Sequence, residues 1–323
     1  MRVLSFLAVL LATSLAAASG RAQEASRCTD EGLTQLALRH ALDGTSADAL
    51  LTSARTEGHA QYPSLHLVRL PADDDAARDA WLADLERRGL TPLACGEARN
   101  EHHVVFAAAP NQGALQLTPE GVRVTLTEGF TEPVVYVRSG HAEPIAIEVR
   151  EGLAEIPFEA MATPLVLQLV ATNPRGPRPI AELVIGGTRT EEALPTNATL
   201  IDVLRARHER GALRPNRMLV RAAQAHAEQS CRAQQVAHVI DEHGDAEARL
   251  RSDHIAARHV GEVVARAEDE SAAWRTLAES PSHRLAIGDA RFTDVGIGRA
   301  EAHGRTCLVV VLAAWPRYVA STR

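Results

Sequence analysis

Residues 216–238 read NRMLVRAAQAHAEQSCRAQQVAH, and the architecture of the last third of the chain follows from this stretch. Leu219, Ala222, Ala223, Ala227 and Val236 recur at helical spacing, which predicts a long amphipathic helix over residues 217–237. Immediately upstream, Leu200, Val203 and Leu204 predict a shorter helix that stops at Gly211. Downstream come short segments, a helix over 270–278, and two strands over 295–300 and 306–313. The order helix, helix, strand, helix, strand, strand predicts helices packed on a small sheet.

Further upstream the hydrophobic period changes to two. Val122, Val124 and Leu126 alternate, followed by Val135 and Val137, by Ile145, Ile147 and Val149, by Leu165, Leu167 and Leu169, and by Leu183 and Ile185. Punctuation at Gly129, Gly140, Gly152 and Asn173-Pro174-Arg175-Gly176-Pro177 falls at turn spacing, and the rhythm predicts a small antiparallel β-sandwich. A linker follows over 186–195. Before the sandwich, Leu33, Leu36, Ala37 and Leu38 open a helix, residues 73–88 carry Trp81 and Leu85 at helical spacing, and residues 103–109 read as a strand. The expected fold class is α+β, with a signal segment over 1–22, a small α+β domain over 23–110, a β-sandwich module over 111–190 and a last domain over 196–323.

Composition bounds the function. At 46% hydrophobic and 23% charged residues, the 323-residue chain has enough apolar surface for ordinary cores. The formal net charge of −7 provides no general basic field for phosphate backbones, so nucleic acid is excluded as the expected partner. All 34 cationic side chains are arginine, which removes lysine Schiff-base and P-loop chemistry. Met1-Arg2, an apolar run from Val3 to Ala18 and small residues around Gly20 and Ala22 read as a cleaved secretory signal, so the expected location is secreted or periplasmic. The run is shorter than the roughly 20 residues that span a bilayer, and no later segment is long enough. The mature chain is therefore expected to have no transmembrane segment. In an oxidising compartment, Cys28, Cys95, Cys231 and Cys307 predict two disulfides. Of three connectivities, Cys28 with Cys95 and Cys231 with Cys307 keeps each bridge within one folding unit, at about 4 kcal/mol each from chain entropy.

Three positions set reactive side chains beside backbone punctuation: His238 after the long helix, Glu262 after Gly261, and His283 within Ser280-Pro281-Ser282-His283-Arg284. Two imidazoles and a carboxylate form a donor set suited to Zn2+ or another divalent cation, and three ligands leave a position for a catalytic water. The same residues also serve as hydrogen-bonding groups that line a cleft and hold loops. Ser282 beside His283 reads as a helix N-terminal turn, Asn197-Ala198-Thr199 as a helix start, and Asp73-Asp74-Asp75 as the acidic first turn of a helix.

From about Leu200 to Trp315 the chain resembles the bacterial, SCP-like branch of the CAP superfamily, the cysteine-rich secretory, antigen 5 and pathogenesis-related proteins. The residues that carry the likeness run in family order. They are Asn216-Arg217, Leu219, Ala223, His226 and Ala227 on the long helix, then His238, Arg249, Gly261-Glu262, Trp274, Ser280 to Arg284, Gly296-Ile297-Gly298 and a last apolar strand. The resemblance implies an α-β-α sandwich with a large cleft, His238, Glu262 and His283 as the cleft residues, and a divalent metal in some members. Val263 stands where bacterial members carry an asparagine, and Glu270 and Glu279 are the acids nearest Trp274. The resemblance implies a cleft for a small-molecule, lipid or envelope ligand. A metal-dependent hydrolase of envelope or extracellular material and a purely structural envelope protein are the competing readings. On the latter, the three site residues are dispensable.

The two ends of the chain also echo each other. Gly96-Glu97-Ala98 followed by Val104 to Pro110 parallels Gly298-Arg299-Ala300 followed by Cys307 to Pro316, with Trp81 ahead of one and Trp274 ahead of the other. Either a degenerate copy of one fold or chance likeness in an alanine- and valine-rich chain accounts for this.

Overall fold

The structure, a computed structural model, describes residues 28–57, 61–187 and 194–315; the expected signal segment lies outside the described residues. The first unit contains α1 (Glu31–Asp43), α2 (Ala47–Thr56), β1 (His66–Pro71), α3 (Asp75–Arg87), β2 (Leu93–Arg99) and β3 (His103–Pro110). Asp30 starts α1 by accepting from the Leu33 N–H at 2.8 Å, and Asp74 starts α3 by accepting from Ala77 at 2.9 Å. The strands pair antiparallel in the order β1-β3-β2. Central β3 is apolar on both sides because both faces are covered. Val105, Ala107 and Ala109 pack with Leu33, Leu50 and Leu51 of α1 and α2, while Val104, Phe106 and Ala108 pack with Leu85 and Trp81 of α3.

The middle unit has β4 (Gly113–Thr118), β5 (Gly121–Leu126), β6 (Thr131–Ser139), β7 (Ile145–Glu148), β8 (Leu153–Glu155), β9 (Leu165–Asn173) and β10 (Gly176–Ile185). They form two antiparallel sheets, ordered β4-β5-β8 and β10-β9-β6-β7. Inward residues of both sheets, including Val122, Ala154, Val135, Leu167, Leu169 and Ile180, share one core, which is the physical outcome of the period-two pattern.

The last unit has α4 (Thr199–Arg207), β11 (Arg214–Pro215), α5 (Arg217–Ala233), α6 (Ala246–Ser252), β12 (His259–Ala267), α7 (Glu270–Glu279), α8 (Pro281–Gly288), β13 (Asp294–Ala302) and β14 (Arg305–Ala314). Its sheet runs β11-β13-β14-β12, antiparallel except for the short β11–β13 pair. Alternate residues of β14 serve different helices. Leu308, Val310 and Leu312 pack with Leu200, Trp274, Leu277 and Ile287, whereas Val309, Val311 and Ala313 pack with Leu219, Ala223 and Leu250. Among the described residues no helix is long and apolar enough to cross a membrane.

One boundary differs from expectation. Helix α5 ends at Ala233 and not at residue 237, with Gln234 in the left-handed region at φ 54°. The N–H of Gln235 turns back to the Ser230 carbonyl at 3.1 Å, and the N–H of His238 goes to Arg175 in the middle unit at 3.1 Å. A tertiary contact thus stops the helix where no glycine marks the stop.

Helix α5 lies directly on β13. A Cβ at Gly298 would stand 2.2 Å from the Ala223 carbonyl carbon, so Gly298→Ala must push backbone apart. The expected loss is about 1–3 kcal/mol or somewhat more, read as a lowered urea midpoint. A midpoint equal to wild type would show that the helix yields freely.

Both expected disulfides are present, Cys28–Cys95 and Cys231–Cys307. The echo between the chain ends has a structural counterpart. In each unit a strand, a tryptophan-bearing helix and a hairpin come in the same order (β1, α3, β2, β3 and β12, α7, β13, β14, the second with α8 inserted before the hairpin), and the last strand pairs between the other two. Gly96 meets α1 as Gly298 meets α5, with a Cβ only 2.2 Å from the Thr34 nitrogen.

Candidate functional site

Glu262 sits on β12 opposite Val311 of β14, and its side chain is only 2% exposed. A buried carboxylate must be compensated, and here both oxygens are. His238 Nδ1–H donates to Oε1 at 2.9 Å, and Arg249 on α6 donates to Oε2. Arg249 also donates to the carbonyls of His238 at 2.8 Å and Gly244 at 2.7 Å, so one guanidinium holds both the carboxylate and the loop that carries the imidazole. The ring of His226, buried on α5, stands 3.8 Å from Oε1 and bonds the Ala237 carbonyl at 2.9 Å. Burial alone would raise the Glu262 pKa, but the His238 hydrogen bond and the Arg249 charge hold it below the ordinary value. The carboxylate in turn fixes the His238 tautomer with Nδ1 protonated, which leaves Nε2 for an occupant.

His283 enters from α8. Ser280 caps this helix by accepting from the His283 N–H at 3.4 Å, with Pro281 in its first turn. The turn is anchored across units by Gln168 of β9, whose Oε1 accepts from the hydroxyls of Ser280 at 2.9 Å and Ser282 at 2.6 Å. Gln168 Nε2 donates to Glu182 at 3.2 Å. The Nδ1 of His283 is buried without a hydrogen-bond partner. Burial first, and repulsion from the His238 ring when it is protonated second, depress the His283 pKa to about 4.

A histidine whose folded pKa lies below its unfolded value of about 6.5 favours the neutral ring in the native state. Its contribution is fully present above that value and declines as pH falls toward about 4. His66, depressed to about 3 by burial and neighbouring arginines, acts in the same sense. Glu262, with a lowered pKa, keeps its contribution until the pH falls below the ordinary carboxylate range. We expect the melting temperature of wild type to fall between pH 6.5 and 4. His283→Gln should show a shallower slope across that window in scanning calorimetry; identical slopes would refute the assignment.

His238, Glu262 and His283 line a single cavity of about 350 Å³. It lies where the three units meet, between the start of β1, the β9–β10 turn, the segment after α5, β12 and α8. The turn closes on the imidazole. The N–H groups of His238 and Val239 both donate to the Arg175 carbonyl at 3.1 Å, and Gly176, at φ 96°, would place a Cβ 2.9 Å from the His238 Cβ. Only a glycine fits that approach. A more open depression of about 490 Å³ beside Cys95 has Glu86 and Glu128 as its charged residues and no histidine on its walls. It lacks convergent chemistry.

The residues do not fit the three-ligand metal site that the donor set allows. Among the described residues no group of three or more His, Cys, Asp or Glu side chains is arranged to hold a metal ion. The physical reason is that Glu262 already accepts from His238 and Arg249. Glu270 is no second acid for the site: it accepts from the Trp274 indole at 3.3 Å and pairs with Arg299 at 3.2 Å.

Sequence reasoning placed His226 and Arg249 only as landmarks of a resemblance, and it missed Gln168 and Arg175. The signal for Arg249 was its fixed place after His238. Gln168 carried a weaker one, a polar residue in an otherwise apolar strand.

No protein-family model matches the chain, and no curated protein matches it. The solved structures similar to it at low identity include three extracellular or surface proteins. An outer surface protein from Borrelia burgdorferi is 17% identical, with 36% of this chain and 87% of that chain covered and a TM-score of 0.34. An extracellular protein containing a SCP domain from Bacillus anthracis is 11% identical over 64% of this chain and 89% of that one, with a TM-score of 0.33. A cysteine-rich secretory protein from Staphylococcus aureus is 10% identical over 83% of this chain and 92% of that one, with a TM-score of 0.29.

Proposed function

We propose that the chain is a secreted or envelope-exposed protein whose segment 196–323 is a CAP-like unit that binds a small molecule, lipid or envelope ligand in the cavity at His238, Glu262 and His283. Residues 1–22 act as its targeting segment, 23–110 as a smaller α+β unit and 111–190 as an accessory β-module. The motif order from Asn216 to Trp315 and the two disulfides support this reading. The observation that carries it is the imidazole of His238, whose tautomer is set by a buried, arginine-held Glu262, on the wall of a cavity it shares with His283. Two such rings on the wall of one cavity would receive one polar group of a ligand by hydrogen bonds while apolar walls enclose the rest.

The experiment is a thermal-shift screen of small molecules against the full chain, followed by calorimetric titration of each binder into His238→Gln and His283→Gln. Binders should lose about tenfold in affinity or more in both variants. Binders indifferent to both substitutions would overturn the reading. A zinc-dependent hydrolase is the alternative reading, and the engagement of both Glu262 oxygens by His238 and Arg249 speaks against it. Metal analysis of wild type, His238→Ala and His283→Ala is expected to give the same background zinc in all three.

A further inference from the structure

The cavity carries a second cluster beside its imidazoles. Arg88, Arg178, Arg266 and Arg305 all line it, in a chain of formal net charge −7. They come from the end of α3, from β10, from β12 and from the start of β14, so all three units contribute. Their anionic compensation is thin. Arg88 reaches Asp84 at 3.4 Å and Arg305 reaches Asp48 at 4.0 Å. Arg178 donates to the Gly89 carbonyl at 3.3 Å, and among the described residues no carboxylate pairs with Arg178 or Arg266. The Nε atoms of both are buried without a hydrogen-bond partner. Burial, and then the charges of neighbouring arginines, bring both guanidinium pKa values down to about 10, and the same four cations act together on His66.

Four guanidinium groups on one cavity wall, two of them with an unmet buried donor, are costly unless an anion joins them. Guanidinium donors match oxyanions by charge and by bidentate geometry. A singly charged carboxylate would leave most of the cluster uncompensated, whereas a phosphomonoester carries a charge of about −1.5 to −2 and three acceptor oxygens. Leu65, Leu90 and Val170 on the same walls provide an apolar surface for the rest of such a molecule.

We propose that Arg88, Arg178, Arg266 and Arg305 form an oxyanion subsite that takes the phosphate of a phosphomonoester ligand. This inference rests on the reading of the cavity as a ligand site and deepens it by naming the ligand class. The phosphate belongs either to a soluble molecule or to a lipid headgroup, and the test separates the two.

Glycerol 3-phosphate and dihexanoyl phosphatidic acid, the latter below its micellar concentration, are titrated by calorimetry into the full chain and into Arg178→Gln, Arg266→Gln and His238→Gln. Both probes should bind wild type and weaken about tenfold or more in either arginine variant. Equal affinity for the two probes assigns a soluble source, and tighter binding of the lipid assigns a headgroup. If the arginine variants lose binding while His238→Gln retains it, the oxyanion subsite stands and the imidazole reading falls. Folding is checked with Arg266→Met, expected to melt no lower than wild type without ligand because it removes a half-buried charge that no carboxylate pairs with. Absence of binding by both probes, unchanged affinity in the arginine variants, or a lowered melting temperature of Arg266→Met would overturn the proposal.

Discussion

Arg249→Leu is expected to destabilise the protein by about 3–5 kcal/mol, because it strands one oxygen of a buried carboxylate. Glu262 would keep only the His238 hydrogen bond, and the carbonyls of His238 and Gly244 would lose their shared donor. The second variant makes the cause readable. Adding Glu262→Leu to Arg249→Leu removes the uncompensated charge, so urea unfolding followed by circular dichroism should show the double variant more stable than the single one. A single variant within 1 kcal/mol of wild type, or a double variant worse than the sum of both changes, would mean that Arg249 does not compensate the carboxylate.

Replacing the second disulfide by Cys231→Ala with Cys307→Ala is expected to cost about 2–5 kcal/mol. The bridge closes a separation of 76 residues and ties the last turn of α5 to β14, an interior strand of its sheet. Both cysteines are buried, so alanine also leaves a small void. Chain-entropy reasoning gives the Cys28–Cys95 bridge, with a separation of 67, nearly the same weight. The difference lies in the site. Loss of the second bridge frees the end of α5, from which the His238 segment departs, so it should weaken ligand binding as well as stability. Loss of the first should lower stability with less effect on affinity. Reversed effects on affinity would contradict this placement of the site.

Legibility in the sequence followed the range of the interactions. The alternation of Val122, Val124 and Leu126 and of Leu165, Leu167 and Leu169 produced strands because burial of one face is a local pattern. The acidic start of α3 and the turn at Ser280 were equally local. Helix α2 escaped notice: over Ala47–Thr56 its buried face holds only Leu50, Leu51 and Ala54, too short a run to separate from a loop. The end of α5 was misplaced because a carbonyl from another unit sets it. His238, Glu262 and His283 were legible as a set only through the order of motifs. Their electrostatics were not, since Arg249 and His226 act on Glu262 through space. The cavity itself had no sequence signature. Contacts such as Arg88 to Gln234 and Gln168 to Ser282 join residues more than a hundred positions apart.

The shared cavity has a consequence for what happens when the chain is divided. Strands β1 and β12 each stand at the outside of their sheet, with one row of peptide groups unpaired by a neighbouring strand, and both supply residues to the cavity wall. Such rims are templates for unwanted strand addition, and proteins commonly shield them. Here His66 of β1 and residues Glu262 to Arg266 of β12 face the cavity that the three units share. A protease cut or an engineered truncation within 186–195 would therefore do more than remove a module. It would uncover a sticky rim on the liberated C-terminal piece and favour its self-association, so intact connectivity acts as the molecule's guard against aggregation.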